Sequence, residues 1–575
     1  MLIKKDKRSL YSIPVFSFFN KRFVSIILKF FGIIHIIVLV FFVYMAVALD
    51  KGEIKTLIHS VAQQTYWFGK MLTNLPIKWS NNISSNHSVL NISIAPKDYQ
   101  LLMTLKDAAV KKEVYLLREY KRRFPVVVTY NDDKFDARIR LKGDSVNQHQ
   151  NDSKFSVRIT LNNDTFLGMK AFSLQHPKRR SYMSSFLLHK FTEKENLLTK
   201  RFNLVPVAIN GKYMGIYNYE EVVDHNMTES LTGVNNIVVV WHDDEQFADF
   251  SKTKTGEQEV HSKIVSDYYH HSRLVTQSFN EVMRDTILKK DFERASKLLN
   301  GFRNGNFTAS EIFDIDKLAL WLAMTDLFGS YHGAFFNNVK LVYDRDLDRF
   351  YPLVWDAFSE NAWASLGFHK YNMFKLNWIY RPIAESNVSL ERITKQMVSD
   401  QKVMERYLAK LDEITQPGYI DNVVESTKSE IDDYMSKLRL DYPEFKMEDE
   451  INRIKDNAYY LRHTYLYPDF PFNAYLSGDD NLDSLILVNR KPVPIKIISL
   501  LNTTTDNQFV AKGTDAGFIL RNNIPGLPGT PTKVFFECPT KGCFDTENIE
   551  DMRIVAKVLG TNKNTSVKIN NWVAY

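Results

Sequence analysis

Hydrophobic residues along this chain change rhythm several times, and each change marks an element. From Phe30 to Leu49, twenty residues run without a formal charge, interrupted in their apolar character only by Gly32 and His35. At about 1.5 Å per residue, such a helix is about 30 Å long, the thickness of a bilayer core. Residues 50–88 read as a membrane-proximal helix and a polar linker ending in "NNISSNHS" (81–88). The rhythm then shifts to strands. "FPVVVTY" (124–130), "FDARIRL" (135–141) and "KFSVRITL" (154–161) alternate, or run β-branched and apolar. "VPVAINGKYMGIYNYEEV" (205–222) reads as a hairpin turning at Asn210-Gly211, because both residues tolerate positive φ. "MSSFLLHKFTEKENL" (183–197) reads as a helix before it. Residues 243–275 are polar and read as loop or insertion. From 278 to 328 the spacing is helical, and "LALWLAMTDLF" (318–328) is apolar enough to be buried. Two strands follow, "NVKLVYD" (338–344) and "RFYPLVWD" (349–356), then helices from 388 to 465. The stretch 466–575 is rich in β-branched residues, Gly, Pro and Asn, which predicts a small β-rich domain.

Charge orients the first segment. Lys4, Lys5, Lys7, Arg8, Lys21, Arg22 and Lys29 precede the apolar run, against Asp6 alone, and supply six of the net +7 charges. Basic flanks resist translocation. Residues 1–29 are therefore expected to be a cytoplasmic basic tail, 30–49 a transmembrane helix, and the main body periplasmic or extracellular. A cleaved signal peptide, with Ala46-Val47-Ala48 at its end, is the competing reading, though the apolar run exceeds the usual h-region. The exported part is near neutral, so no nucleic-acid partner is expected; membrane contact is expected through the single helix. Overall, 44% of residues are hydrophobic and 25% charged, the composition of folded domains. Cys538 and Cys543 are the only cysteines, too few for a zinc site. In an oxidising compartment they read as a short-loop disulfide, with two free thiols as the alternative.

The pattern alone describes an α+β chain. The segments "ARIRLKGDS" (137–145), "KFSVRITL" (154–161), "INGKYMGIYNYEE" (209–221) and "NNVKLVYDRDLDRFYPLVWD" (337–356) add more. In that order they resemble the CotH family, spore-coat-type atypical protein kinases. "DQKVMERYLAKLDEIT" (400–415) resembles the family's helical tail, and the likeness runs from about 90 to about 465. It implies an atypical protein-kinase-like bilobal core over 89–465, with a β-rich lobe at about 89–240 and a helical lobe at about 276–465, followed by the C-terminal β-rich domain 466–575. It also implies an ATP-dependent (or other nucleotide-dependent) phosphotransferase, with Mg or Mn, acting on Ser/Thr of an exported or surface protein. A catalytically inactive scaffold for surface-layer or polysaccharide assembly is the alternative.

Phosphoryl transfer needs metal ligands, a carboxylate at the acceptor hydroxyl and cations on the phosphates. By resemblance, Asp356 is the metal-binding Asp, Asn338 the metal-binding Asn (Asn337 the fallback), and Asp326 the catalytic Asp. Lys154 is the candidate phosphate-binding lysine, at the head of a strand where Lys154, Ser156 and Arg158 share one face. Glu221 is its expected carboxylate partner in the cleft. Lys142 and Gly143 are placed in a turn over the phosphates. His332 reads as a structural histidine. The chain departs from the family's Trp-Asp-x-Asp pattern, with Phe358 at the second acid position. "HPKRRSYMSS" (176–185) also lacks an acid that members often carry.

Overall fold

Two tight turns organise the first part of the fold, one of them the turn expected at Asn210-Gly211. Asn131-Asp132 joins β2 (Phe124–Tyr130) to β3 (Asp133–Leu141), and Asn210-Gly211 joins β6 (Phe202–Ile209) to β7 (Lys212–Glu221). All four turn residues take positive φ, 48° and 70° in the first turn and 48° and 78° in the second. That twist matches the right-handed twist of paired strands, so the chain reverses in two residues. This computed structural model describes residues 87–573, apart from 113–115, 144–145, 150–153, 243–267, 357–387, 478–482, 492, 514–517, 522–528, 539–542 and 544–548. The apolar run 30–49, most of the linker and Phe358 lie outside the described residues. Among the described residues no helix is long and apolar enough to cross a membrane.

The fold is mixed α+β. β1 (Leu90–Ile94), β2, β3, β4 (Val157–Leu161), β5 (Ala171–Gln175), β7 and β6 follow one another around a closed barrel, sealed by the parallel pairing of β1 with β6. Burial alternates strictly along β1 and along the start of β2, so one face of each strand fills the barrel with Ile92, Val126, Val128, Ile159 and Phe172. The helix Pro96–Lys112 lays Leu102 and Ala109 against the same core. β4 begins at Val157, three residues later than the sequence pattern suggests. Lys154 therefore lies in the approach to the strand, not on its face, although the Lys142 amide still bonds the Ser156 carbonyl.

A second sheet has the order β11-β10-β8-β9: β10 (Lys340–Asp344) and β11 (Arg349–Leu353) form the expected hairpin, while β8 (Val238–Trp241) and β9 (Leu274–Thr276) were not evident from the pattern. Helices surround this sheet. The helix Ile315–Phe328 is buried from Leu318 to Phe328 and packs on the helix Gln401–Ile414. The C-terminal region is a β-sandwich. One sheet runs β17 (Thr532–Phe535), β13 (Ser484–Asn489), β12 (Phe472–Leu476), β20 (Asn570–Val573). The other runs β15 (Gln508–Val510), β14 (Ile495–Asn502), β18 (Met552–Val558), β19 (Thr565–Lys568), with β16 (Phe518–Leu520) also on β14. Leu485, Leu487, Ile497, Val534 and Ile554 fill the space between the sheets. Cys538 and Cys543 are disulfide-bonded.

Candidate functional site

The richest chemistry lies where the end of β7 meets the strand after β10. On β7, Ile216 packs into the helical core and Tyr217 into the barrel, so alternation puts Asn218 and Glu220 on the helical side and Tyr219 and Glu221 on the barrel side. Glu220 is fully buried. It accepts hydrogen bonds from Arg180 Nη2 (2.8 Å) and Lys142 Nζ (3.3 Å), and from Lys200 and Gln175. Burial would push its carboxyl up, but Arg180, Lys200 and Lys142 outweigh burial and hold it well below the usual range. Burial pushes the Lys142 ammonium down to about 8, against the pull of Glu220. It lowers Lys200 as well.

Arg180 links this carboxylate to a second one. Its Nη1 lies 2.5 Å from Asp356 Oδ1, while its Nε is buried without a partner. The other Asp356 oxygen lies 3.1 Å from His332 Nε2. Arg180 and His332 overcome the effect of burial and keep Asp356 ionised far below its ordinary range. Asp356 itself has φ 47°, a left-handed conformation at the end of β11 that an aspartate adopts at some cost. The preceding indole, Trp355, carries cations over its ring: Lys200 Nζ at 4.1 Å, Lys340 Nζ at 4.5 Å and Lys142 Nζ at 6.0 Å from the centroid. An isolated bridge between Thr199 and Val354 brings the Lys200 segment alongside Trp355. Among the described residues, four cations thus gather around two carboxylates.

The residues singled out from the sequence fall into separate places. In the β10–β11 register Lys340 pairs with Leu353, which puts Asn338 and Asp356 at the same end of the hairpin. Asn338 Nδ2 donates to the His332 carbonyl (2.9 Å), so one short segment ties Asn338 and Asp356 together. Lys142 lies in this cluster; Gly143 follows it with φ 112°, and a Cβ there would sit 2.3 Å from Gln148 Oε1. Lys154 lies elsewhere. Its Nζ is 2.5 Å from Asp441 Oδ2 and 3.4 Å from the Tyr442 hydroxyl, and Asp441 also accepts the Ile216 amide (2.9 Å), bracing barrel to helices. Glu221 pairs with Arg201 (2.8 Å), and burial raises its carboxyl to about 7. Asp326 is buried in the helix Ile315–Phe328 and hydrogen-bonded to the Tyr407 hydroxyl. Burial raises its carboxyl well above the usual range, and no nearby cation offsets it. Glu220, Arg180, Lys200, Lys340 and Trp355 were not singled out from the sequence. The consecutive Lys178-Arg179-Arg180 run was the available signal for Arg180.

The donor set suits a hard divalent cation that keeps most of its ligands from water and phosphate. Asn338 offers an amide oxygen whose orientation is fixed by the bond from its nitrogen, and Asp356 offers a carboxylate. Among the described residues no cluster of three or more His, Cys, Asp or Glu could hold a metal without such help. The unpartnered, buried Arg180 Nε and the gathered cations suit an anion beside them.

Residues 139–466, more than half of the chain, match the sequence profile of the family described as CotH kinase protein. The chain belongs to the CotH family. No curated protein matches it.

Proposed function

We propose that this protein transfers a phosphoryl group from a nucleotide, with Mg or Mn, to Ser/Thr hydroxyls of an exported or surface protein, and that residues 30–49 anchor it in a membrane with residues 1–29 cytoplasmic. The observation that carries the catalytic reading is the convergence of Lys142, Arg180, Lys200 and Lys340 on Trp355, Glu220 and Asp356. Arg180 and the lysines bind the phosphates and spread the charge that builds on the leaving oxygen as its bond to phosphorus breaks. Glu220 holds three of those cations in place, the part a carboxylate plays when a cation must be buried before its ligand arrives. Asp356 and Asn338 would hold the divalent ion, whose positive charge would offset that of the phosphates. His332 orients Asp356 and is itself fixed through the same segment that holds Asn338.

The test is a nucleotide titration of the full chain in neutral detergent, read by thermal unfolding. Mg-ATP or Mn-ATP is expected to raise Tm of the wild type, and D356A is expected to lose the metal-dependent part of that rise. A wild type indifferent to both would sink the reading and leave the inactive scaffold, which the engagement of both Asp356 oxygens by Arg180 and His332 would then explain.

A further inference from the structure

The second sandwich sheet carries an outward face whose charges conflict with its own stability. On β18, Met552, Ile554, Ala556 and Val558 are buried, while Arg553, Val555 and Lys557 point outward. The register sets Lys557 directly opposite Lys496 on β14, and Arg553 directly opposite Lys568 on β19. Side chains in such positions have Cβ atoms about 5 Å apart, and like charges there destabilise the pair. The remaining outward positions nearby are Ser566, Leu501, Gln508 and Val510, with Ser499 buried between the two pairs and Ile519, opposite Lys496, packed against the helical core; none of them is acidic. Among the described residues no carboxylate lies within ion-pair distance of Lys496, Arg553, Lys557 or Lys568. Arg553 Nη1 instead reaches only the main-chain carbonyls of Glu550 and Met552. Two repulsive pairs on neighbouring strands, with no neutralising acid, are what a binding face looks like before its anion arrives.

The shape of the patch says which anion. Arg553 and Lys557 are four residues apart on one strand, about 13 Å, with their partners on the flanking strands. The charges therefore form a stripe along β18, not a disc. Among the described residues of these strands the aromatic rings are Phe509 and Phe518, which belong to the inner face and pack on the sandwich core. A single-stranded nucleic acid binds through base stacking on aromatic rings, which this face lacks. We propose that this face binds a linear polyol-phosphate polymer, a chain of phosphodiesters without rings, laid along β18 so that two adjacent phosphates meet the Arg553–Lys568 pair and the next two meet the Lys496–Lys557 pair. The site is independent of the nucleotide cluster.

The probe is a fluorescent poly(glycerol phosphate), titrated into the full chain in neutral detergent, for wild type and for the quadruple variant K496Q/R553Q/K557Q/K568Q. Wild type is expected to bind, with log affinity falling against log salt at a slope of about −3, from the counterions released when four cations neutralise four phosphates of a flexible chain, or about fiftyfold between 50 and 200 mM salt. The quadruple variant is expected to lose that binding and its salt slope while melting no lower than wild type, since it removes two repulsive pairs. Equal binding by the variant, or no binding by wild type, overturns the proposal. So does salt-dependent binding to vesicles of anionic lipid, lost in the variant, when the soluble polymer does not bind; that result assigns the face to a membrane.

Discussion

Replacing Lys142 with Met tests whether the charged cluster is built for a ligand or for the fold. In the folded protein the Lys142 ammonium titrates near 8, against 10.5 for a free lysine, because burial outweighs the attraction of Glu220. At about 1.4 kcal/mol per tenfold, keeping this side chain charged at pH 7 costs the folded state about 3 kcal/mol. The sign follows from linkage. The group's pKa is depressed on folding, so the cost is full below pH 8, shrinks as the folded protein gives up the proton, and is gone above about 10.5. An unbranched apolar side chain of similar length removes the cost and leaves Glu220 with Arg180, Lys200 and Gln175.

K142M is therefore expected to be about 1–3 kcal/mol more stable than wild type at pH 7, once the lost bond to Glu220 is set against the gain, and to be nearly equal to it at pH 10.5. Paired chemical denaturation of variant and wild type at both pH values reads the difference directly. Function moves the other way: one fewer charge-assisted contact is expected to weaken nucleotide binding about 10- to 100-fold. A variant less stable than wild type by more than about 1 kcal/mol at pH 7 would refute the reasoning, because Lys142 would then be holding Glu220 rather than waiting for phosphate.

D326N is expected to match wild type near pH 4 and to gain on it as pH rises. The wild-type carboxyl, raised by burial, must stay protonated in the fold while it ionises in the unfolded chain; denaturation from pH 4 to 7 checks this, and assayed transfer is expected to survive because the group is bonded to Tyr407. G215A is expected to cost about 2 kcal/mol or more. A Cβ there would lie 2.4 Å from Asp441 Oδ2 and 2.9 Å from Lys154 Nζ, at φ 91°, and a lowered Tm should accompany loosening of the barrel from the helices in hydrogen exchange. A reporter active only outside the cytoplasm, fused after residue 60, is expected to be active; activity of a cytoplasm-only reporter there would reverse the topology.

What could be read from the sequence is what local chemistry determines. The Asn210-Gly211 turn, the alternation of β2, the burial of Leu318–Phe328 and the β10–β11 hairpin follow from neighbours a few residues apart. That Asn338 and Asp356 lie at the same end of the hairpin was legible for the same reason, since antiparallel pairing fixes which ends meet. Lys154 was not, because its strand begins later than its pattern and its partner, Asp441, lies 287 residues away. Glu220 and Glu221 face opposite sides of β7, and a single residue of register decides which of them faces the helices. Counting outward from the Asn210-Gly211 turn places Met214 in the barrel and would place Glu220 there too. The pairing shifts between Val207 and Ala208, opposite Gly215, and that bulge turns Ile216, Asn218 and Glu220 toward the helices.

The cluster around Glu220 could not have been read at all from any one stretch, since Lys142, Arg180, Lys200, Lys340 and Asp356 come from five separate segments. Its energetics nevertheless say why they meet. Each of the first three cations is buried, and burial works against the charge on every one. A purely structural core would use one cation for one carboxylate, or apolar residues for both, since apolar replacements of buried ion pairs are often neutral or stabilising. Three cations instead meet on Glu220, and Lys340 is added across Trp355. On the function proposed above, buried cations that weaken the fold are retained for what they bind, and an anion rich in oxygen, arriving with its own metal, is the ligand that would relieve them.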